Sequence, residues 1–245
     1  MTVGGIRAVF LDLGNTLRIL LKDEPHMAEA RRKMAELAGA PEDPEAFCAK
    51  VNARYKEYRK WAFDNLREAP EPELWTRWLA PDLPAEKIGP LGVELTYQFR
   101  QTMGRRVVVK DGRAVVEELE RRGYILGIIS NVITSGEIPG WLEADDFAKY
   151  FRAVVLSSVL GIRKPDPAMY LEAARLAGVD PACCAYVGDN LKRDVTGTRQ
   201  AGFGMVVILT SPGERAEETL SDANRPDHLI DEFKQLLDIF PALEP

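Results

Sequence analysis

The chain has 245 residues and a formal net charge of −6 at pH 7, with 46% hydrophobic and 29% charged residues. That length can bury a sizeable apolar interior, and the balance is that of an ordinary globular protein. The acidic charge argues against nucleic acid as a partner. No apolar run is long enough to span a bilayer and no signal-like stretch opens the chain, so a cytoplasmic location with no membrane contact is expected.

Three cysteines (Cys48, Cys183, Cys184), two histidines (His26, His228) and no Cys-x-x-Cys pair make a thiolate or imidazole metal centre unexpected. Scarce histidine also argues against Ser-His-Asp or Cys-His catalysis. The chemistry falls to carboxylates.

In chain order, residues 6–11 form the first apolar run, which reads as a core strand ending at Asp12-Leu13-Gly14-Asn15-Thr16. The next such run lies over a hundred residues on, and the interval reads as helical. Met27, Ala30, Met34 and Leu37 keep a 3.6 period that stops at Gly39. Asp43-Pro44 then supplies an N-cap and a proline at the first helical position, followed by Phe47, Val51, Tyr55, Tyr58 and Ala62 at helical spacing. Two more helices are expected at about 73–80 and 85–102. Residues 18–106 are therefore assigned to an inserted α-helical domain, and residues 1–17 and 107–245 to the core. The insert carries 16 Lys+Arg against 15 Asp+Glu; the remainder carries 16 against 23.

Within the insert, the stretch Arg54 to Trp61 has two readings. Its basic and aromatic residues either contact the remote part of a ligand, or Tyr55, Tyr58 and Ala62 pack inward while the charges meet solvent. Trp75 and Trp78 share a helical face and either fill the insert's interior or offer a stacking platform. The segment Arg18 to Asp23 is expected to be a hinge.

Beyond the insert, residues 112–122 read as a helix and 124–129 as a strand ending at Ser130-Asn131. The turn-rich stretch Ser135 to Trp141 predicts a surface loop. A strand at 153–156 precedes Gly161-Ile162-Arg163-Lys164-Pro165-Asp166 and a helix at 167–177. A strand at 185–187 ends at Gly188-Asp189-Asn190, with Asp194 in the helix expected at 191–201. A strand at 205–209 follows. The tail 220–245 reads as a short strand at His228–Ile230 and a closing helix that buries Phe233, Leu236, Leu237 and Phe240. Continuous apolar runs alternating with helices predict an α/β fold: a doubly wound parallel sheet with the helical domain inserted after its first strand.

In such a sheet, ligands bind where strands end at their carboxyl edges. Four of these edges carry complementary polar groups: carboxylates for a hard cation, a hydroxyl and an amide for phosphate oxygens, and an ammonium as counter-charge. The blocks Val9 to Leu17, Ile128 to Asn131, Gly161 to Pro167 and Tyr186 to Gly202 resemble, in order, the four motifs of the haloacid dehalogenase superfamily. The insert 18–106 stands where that family has its helical cap.

The resemblance implies that Asp12 is a nucleophile forming an aspartyl-phosphate. It implies that Asp12, the Gly14 carbonyl, Asp189 and Asp194 hold Mg²⁺. Ser130 and the Asn131 amide would hold a phosphoryl oxygen, Lys164 would balance charge, and Thr16 would buttress the loop. The expected substrate is a small phosphorylated metabolite, and an apolar cap surface is compatible with a homodimer.

Most phosphatases of that family carry a second Asp two residues after the nucleophile, as general acid and base. Here that position is Gly14, with Asp23 or Glu24 as candidate substitutes. Three readings stay open: a phosphatase, a non-catalytic or weakly active binding member, and a 2-haloacid dehalogenase, a branch that also lacks the second Asp.

Overall fold

A computed structural model describes residues 5–210 and 225–244. Residues 220–224 and 245 of the expected tail lie outside the described residues.

The elements run β1 (Ala8–Leu11), β2 (Arg18–Leu21), α1 (Glu24–Ala38), α2 (Pro44–Asn65), α3 (Glu71–Glu73), α4 (Ala85–Ile88), α5 (Gly92–Gln101) and β3 (Arg105–Val108). They continue α6 (Gly112–Arg121), β4 (Ile125–Ser130), α7 (Glu137–Ala144), β5 (Phe151–Leu156), α8 (Ser157–Leu160), α9 (Pro167–Ala177), β6 (Cys184–Gly188), α10 (Leu191–Gln200), β7 (Met205–Leu209) and β8 (His228–Ile230). A short helix at Leu236–Ile239 closes the described chain.

The main sheet has the order β5-β4-β1-β6-β7-β8, and every pairing is parallel. The first strand is central, and the strand order reverses beside it, at the switch point where doubly wound folds open a ligand crevice. β1 and β6 are buried along their whole length, as strands covered on both faces must be. Val9 and Leu11 pack to one side with Val115, Leu119, Ile138 and Phe240. Ala8 and Phe10 pack to the other with Met169, Tyr170, Tyr186 and Phe203. That alternation is the period-2 geometry of a strand between two helical layers.

The helices of residues 24–101 share a hydrophobic cluster of their own, which includes Met34, Phe47, Val51, Tyr58, Trp75, Leu79, Leu95 and Phe99. α1 starts at an Asp23 cap and ends at Gly39 in the left-handed conformation (φ 60°), where glycine carries no side-chain penalty. α2 starts at the expected Asp43-Pro44. Tyr58 and Ala62 are fully buried, as the packing reading of that helix requires. Trp75 is also fully buried and donates from Nε1 to Thr96 Oγ1 at 2.8 Å, so it fills the interior and offers no stacking platform.

Three local expectations are corrected. The single helix at 85–102 is broken at Gly89-Pro90 by a 3₁₀ turn, because proline lacks the N–H and disfavours helix in the residue before it. The loop at Ser135 to Trp141 is instead the start of α7. Pro139 falls in its first turn, where no intrahelical bond is lost. The segment Arg18 to Asp23, expected as a hinge without regular structure, begins with strand β2, which pairs antiparallel with β3 so that Arg18 faces Val108 and Leu20 faces Arg106. This ribbon carries the chain from the sheet into the helices and back.

Candidate active site

Asp12 directly follows β1 and is 5% exposed. Its backbone N–H donates to the Val187 carbonyl at 2.8 Å, so the loop leaves the sheet held by the neighbouring strand. One carboxylate oxygen, Oδ1, accepts from the Leu13 N–H at 2.8 Å and from the Ser130 hydroxyl at 2.7 Å. The other, Oδ2, accepts from the Lys164 ammonium at 2.7 Å. Lys164 is fully buried. It also bonds the Tyr186 hydroxyl and stands 3.3 Å from Asp194 Oδ1.

Asn131 has a task the sequence did not suggest. Its side-chain carbonyl accepts from the Lys164 N–H at 2.8 Å, and its amide donates to the Lys164 carbonyl at 3.1 Å. The side chain thus clamps the backbone that presents the lysine. Thr16 is fully buried, and its hydroxyl has no hydrogen-bond partner among the described residues.

Asp189 and Asp194 come in from the β6–α10 junction. One oxygen from each of Asp12, Asp189 and Asp194 can be chosen so that all lie within 4.8 Å of one another. Gly188 makes this approach feasible, since a Cβ there would lie 2.4 Å from Asp194 Oδ2. Asn15, in the left-handed conformation (φ 54°), donates from Nδ2 to Asp189 Oδ2 at 3.1 Å. Burial raises the Asp189 carboxyl above its ordinary range, and the Asp12 charge adds to this against the pull of Arg193. Burial also pushes Asp194 up. The Lys164 and Arg193 charges outweigh that push and hold it below the ordinary range.

Arg193 was not a candidate from sequence, where a basic residue one position before Asp194 looks like a solvated helix residue. Its guanidinium turns into the acidic cluster. Nη2 stands 3.0 Å from both Asp189 Oδ1 and Asp194 Oδ2 and 3.4 Å from Asp12 Oδ2, while Nε bonds Asp194 Oδ1 at 2.9 Å. Burial opposes its charge, but the Asp194 and Asp12 carboxylates raise its pKa well above the ordinary arginine value.

A cleft of about 270 Å³ opens onto this group, lined by Asp12, Gly14, Ser130, Asn131, Asp189 and Arg193 from the sheet edge and by Arg18, Arg100 and Arg106 from above. Asp23 and Glu24 are not on it. Asp23 caps α1 and pairs with Arg105, and Glu24 pairs with Arg31. The chemistry available is that of a desolvated carboxylate held by a hydroxyl and an ammonium beside two further carboxylates.

Among curated proteins, the chain is similar to glyceraldehyde 3-phosphate phosphatase of Pyrococcus furiosus, 30% identical over 96% of this chain and 92% of the relative. It is also similar to phosphoserine phosphatase of Thermus thermophilus, 29% identical over 83% and 88% of the two chains. Among solved structures, a 2-haloacid dehalogenase from Pseudomonas syringae pv. Tomato DC3000 superposes with a TM-score of 0.64 at 23% identity, covering 96% of this chain and 97% of that one. A HAD phosphatase from Thermococcus onnurineus gives 0.60 at 22%, covering 98% and 100%. These structural likenesses speak for the shared fold. The family of haloacid dehalogenase-like hydrolases matches residues 6–202, and the chain belongs to it.

Proposed function

We propose that this hydrolase is a phosphatase for a small phosphate monoester, with Asp12 as the nucleophile. The observation that carries this reading is the Asp12 carboxylate held between the Ser130 hydroxyl and the buried Lys164 ammonium, at the mouth of a cleft at the sheet's switch point. The names of its curated relatives support the substrate class.

A carboxylate oxygen of Asp12 attacks phosphorus as the ester oxygen departs with the bonding pair and takes a proton from water. Water then attacks the phosphorus of the aspartyl-phosphate, which releases inorganic phosphate and regenerates the carboxylate. Lys164 offsets the negative charge gathered on the aspartate and the transferring group, and the Ser130 hydroxyl orients the nucleophile. The residues 18–106 act as a cap over this chemistry.

The donor set fits Mg²⁺: Asp12, Asp189 and Asp194 are hard oxygen donors within reach of one ion, and the Gly14 carbonyl is a fourth candidate. Bound there, the ion would neutralise part of the charge on the nucleophile and the phosphoryl oxygens. Arg193 already places a positive charge among the same carboxylates, so it competes for that place.

This last observation favours a second reading, a metal-free dehalogenase in which Asp12 displaces halide from carbon. Hydrolysis of p-nitrophenyl phosphate with Mg²⁺ and with EDTA, beside an Asp12→Asn control, decides between them. Turnover that needs Asp12 establishes the phosphatase. No turnover, with chloride release from 2-chloropropionate, overturns it.

A further inference from the structure

Three arginines from three different elements meet above the Asp12 cleft. Arg18 comes from β2, Arg100 from the end of α5 and Arg106 from β3. The β2–β3 register puts Leu20 opposite Arg106, so Arg18, two residues before Leu20, shares the ribbon face of Arg106.

Only one carboxylate among the described residues forms ion pairs with this cluster. Glu137 of α7 pairs with Arg100 through Nε and with Arg18 Nη1 at 3.4 Å. Arg106 forms no ion pair among the described residues. Its Nη1 donates to the Arg100 carbonyl at 2.9 Å, and its Nη2 contacts Met103 Sδ at 3.8 Å. Asp145 also acts on Arg18 through its charge, so three guanidinium groups face one directly paired carboxylate and one more distant, and the wall keeps a positive excess.

The cluster is also partly desolvated, with Arg18 buried and Arg100 and Arg106 half-buried. Arg18 is 7% exposed, and its Nε is buried with no hydrogen-bond partner. Its guanidinium lies over the Trp141 ring, 4.3 Å from the centroid, and its Nη2 donates to the Arg106 carbonyl at 3.1 Å. Burial pulls the Arg106 guanidinium down to about 10, and neighbouring Arg100 adds to this. Burial lowers Arg18 as well. Concentrating like charges out of water is unfavourable unless an anion offsets them, and planar guanidinium groups match carboxylate and phosphate oxygens in two-point contacts.

We infer that Arg18, Arg100 and Arg106 form a subsite for a second anionic group of the substrate, a carboxylate or a second phosphate remote from the ester cleaved at Asp12. This rests on the phosphatase reading and deepens it, because Ser130 and Lys164 already serve the group attacked at Asp12 and leave the arginines unmatched. Glu137 acts as a positioning residue that spaces Arg18 and Arg100. Trp141 fixes the plane of Arg18. A phosphate monoester with a neutral tail leaves Arg106 without an ionic partner and Arg18 and Arg100 sharing one carboxylate, so the site selects against it.

The test uses matched pairs of ligands. Binding to the Asp12→Asn protein is measured by calorimetry for 2-phosphoglycolate against ethyl phosphate, and for fructose 1,6-bisphosphate against fructose 6-phosphate. The first pair asks about a carboxylate and the second about a second phosphate. The member with the second anionic group binds roughly tenfold or more tightly in at least one pair, the weight of one charge-assisted contact. Adding Arg106→Met reduces that preference to about threefold or less, and Arg106→Lys, which keeps the charge without the planar fork, retains part of it.

Equal binding within both pairs overturns the subsite, with or without any variant. Unchanged preference in folded Arg106→Met and Arg18→Met proteins overturns its assignment to these residues. Turnover of p-nitrophenyl phosphate by the wild-type protein is read separately. Its absence beside a clear binding preference sinks the phosphatase reading and leaves the anion subsite standing.

Discussion

The guanidinium of Arg193 stands 3.0 Å from the Asp189 carboxylate, inside a group of three acidic side chains whose oxygens lie within reach of one ion. In most solvated helices an arginine at that position would extend outward. Here it returns to its own helix start and adds a second positive charge, beside Lys164, to three neighbouring carboxylates.

Removing that charge has two expected consequences. Arg193→Met loses stability in EDTA by roughly 3 kcal/mol, the scale for breaking a largely buried ion pair. Mg²⁺ restores much of the loss, and calorimetry shows the variant binding the ion more tightly than the wild type. Equal Mg²⁺ affinity in the two proteins would show that the arginine does not compete for the site.

Gly14 stands where the family resemblance places a second aspartate. A Cβ there meets nothing within 4 Å, and the residue is not among those with positive φ. Neither space nor backbone demands glycine. Gly14→Asp therefore folds normally and raises kcat on alkyl phosphates, by up to roughly 10²–10⁴-fold if the new carboxyl acts as general acid. The gain is smaller on p-nitrophenyl phosphate, whose leaving group needs little protonation. A uniform effect on both substrates would remove proton transfer as the explanation.

Glu68 joins the helical insert to the core. It is 4% exposed, accepts from the Ser157 hydroxyl at 2.7 Å and pairs with Arg163 and the Tyr58 hydroxyl. Glu68→Ala leaves a buried guanidinium without its partner, at a cost of roughly 3–5 kcal/mol in urea unfolding. Glu68→Gln keeps the acceptor and costs less.

Glu71 makes a pH-dependent contribution of a definite sign. Burial raises its carboxyl above the ordinary value, against the lowering effect of its bonds from Ser135. A folded pKa above the unfolded one adds stability at pH below the unfolded value, and that part is lost as pH rises through the folded value. The stability of wild type minus that of Glu71→Gln therefore falls from acid toward neutral pH. Urea midpoints between pH 4 and pH 8, taken in both proteins, read this difference directly.

Much of the sheet was legible because parallel strands buried on both faces leave short unbroken apolar runs, such as Met205–Leu209. Asp12, Ser130, Lys164, Asp189 and Asp194 were legible as a set because the segments that follow parallel strands lie along one edge of the sheet and because the family resemblance picked these positions out. The ribbon β2–β3 was not, since four-residue strands such as Arg18–Leu21 acquire meaning only through a partner far along the chain. Arg193 and Glu137 escaped for a related reason. Which way a charged side chain turns from its helix is set by the charges it meets, and those come from other elements. The Asn131 clamp on Lys164 is equally tertiary, although its position after Ser130 had marked it as part of the site.

The ribbon also bears on how such a protein can change over generations. The Val109 N–H donates to the Leu17 carbonyl at 3.0 Å, so the chain leaves the sheet layer and rejoins it at two adjacent, mutually bonded points. The backbone from Arg18 to Val108 leaves and re-enters the core there, while side contacts such as Glu68 with Ser157 and Arg163 hold it against the core. A different insert could be spliced there without altering any pairing of the six-stranded sheet, and the carboxylates at its edge would stay in place. Arg18, Arg100 and Arg106 all belong to the exchangeable stretch. On the proposed reading, the arginines that choose the ligand lie in one length of sequence and the carboxylates that break the bond in another, and only Glu137 and Trp141 of the core would have to keep step with the insert.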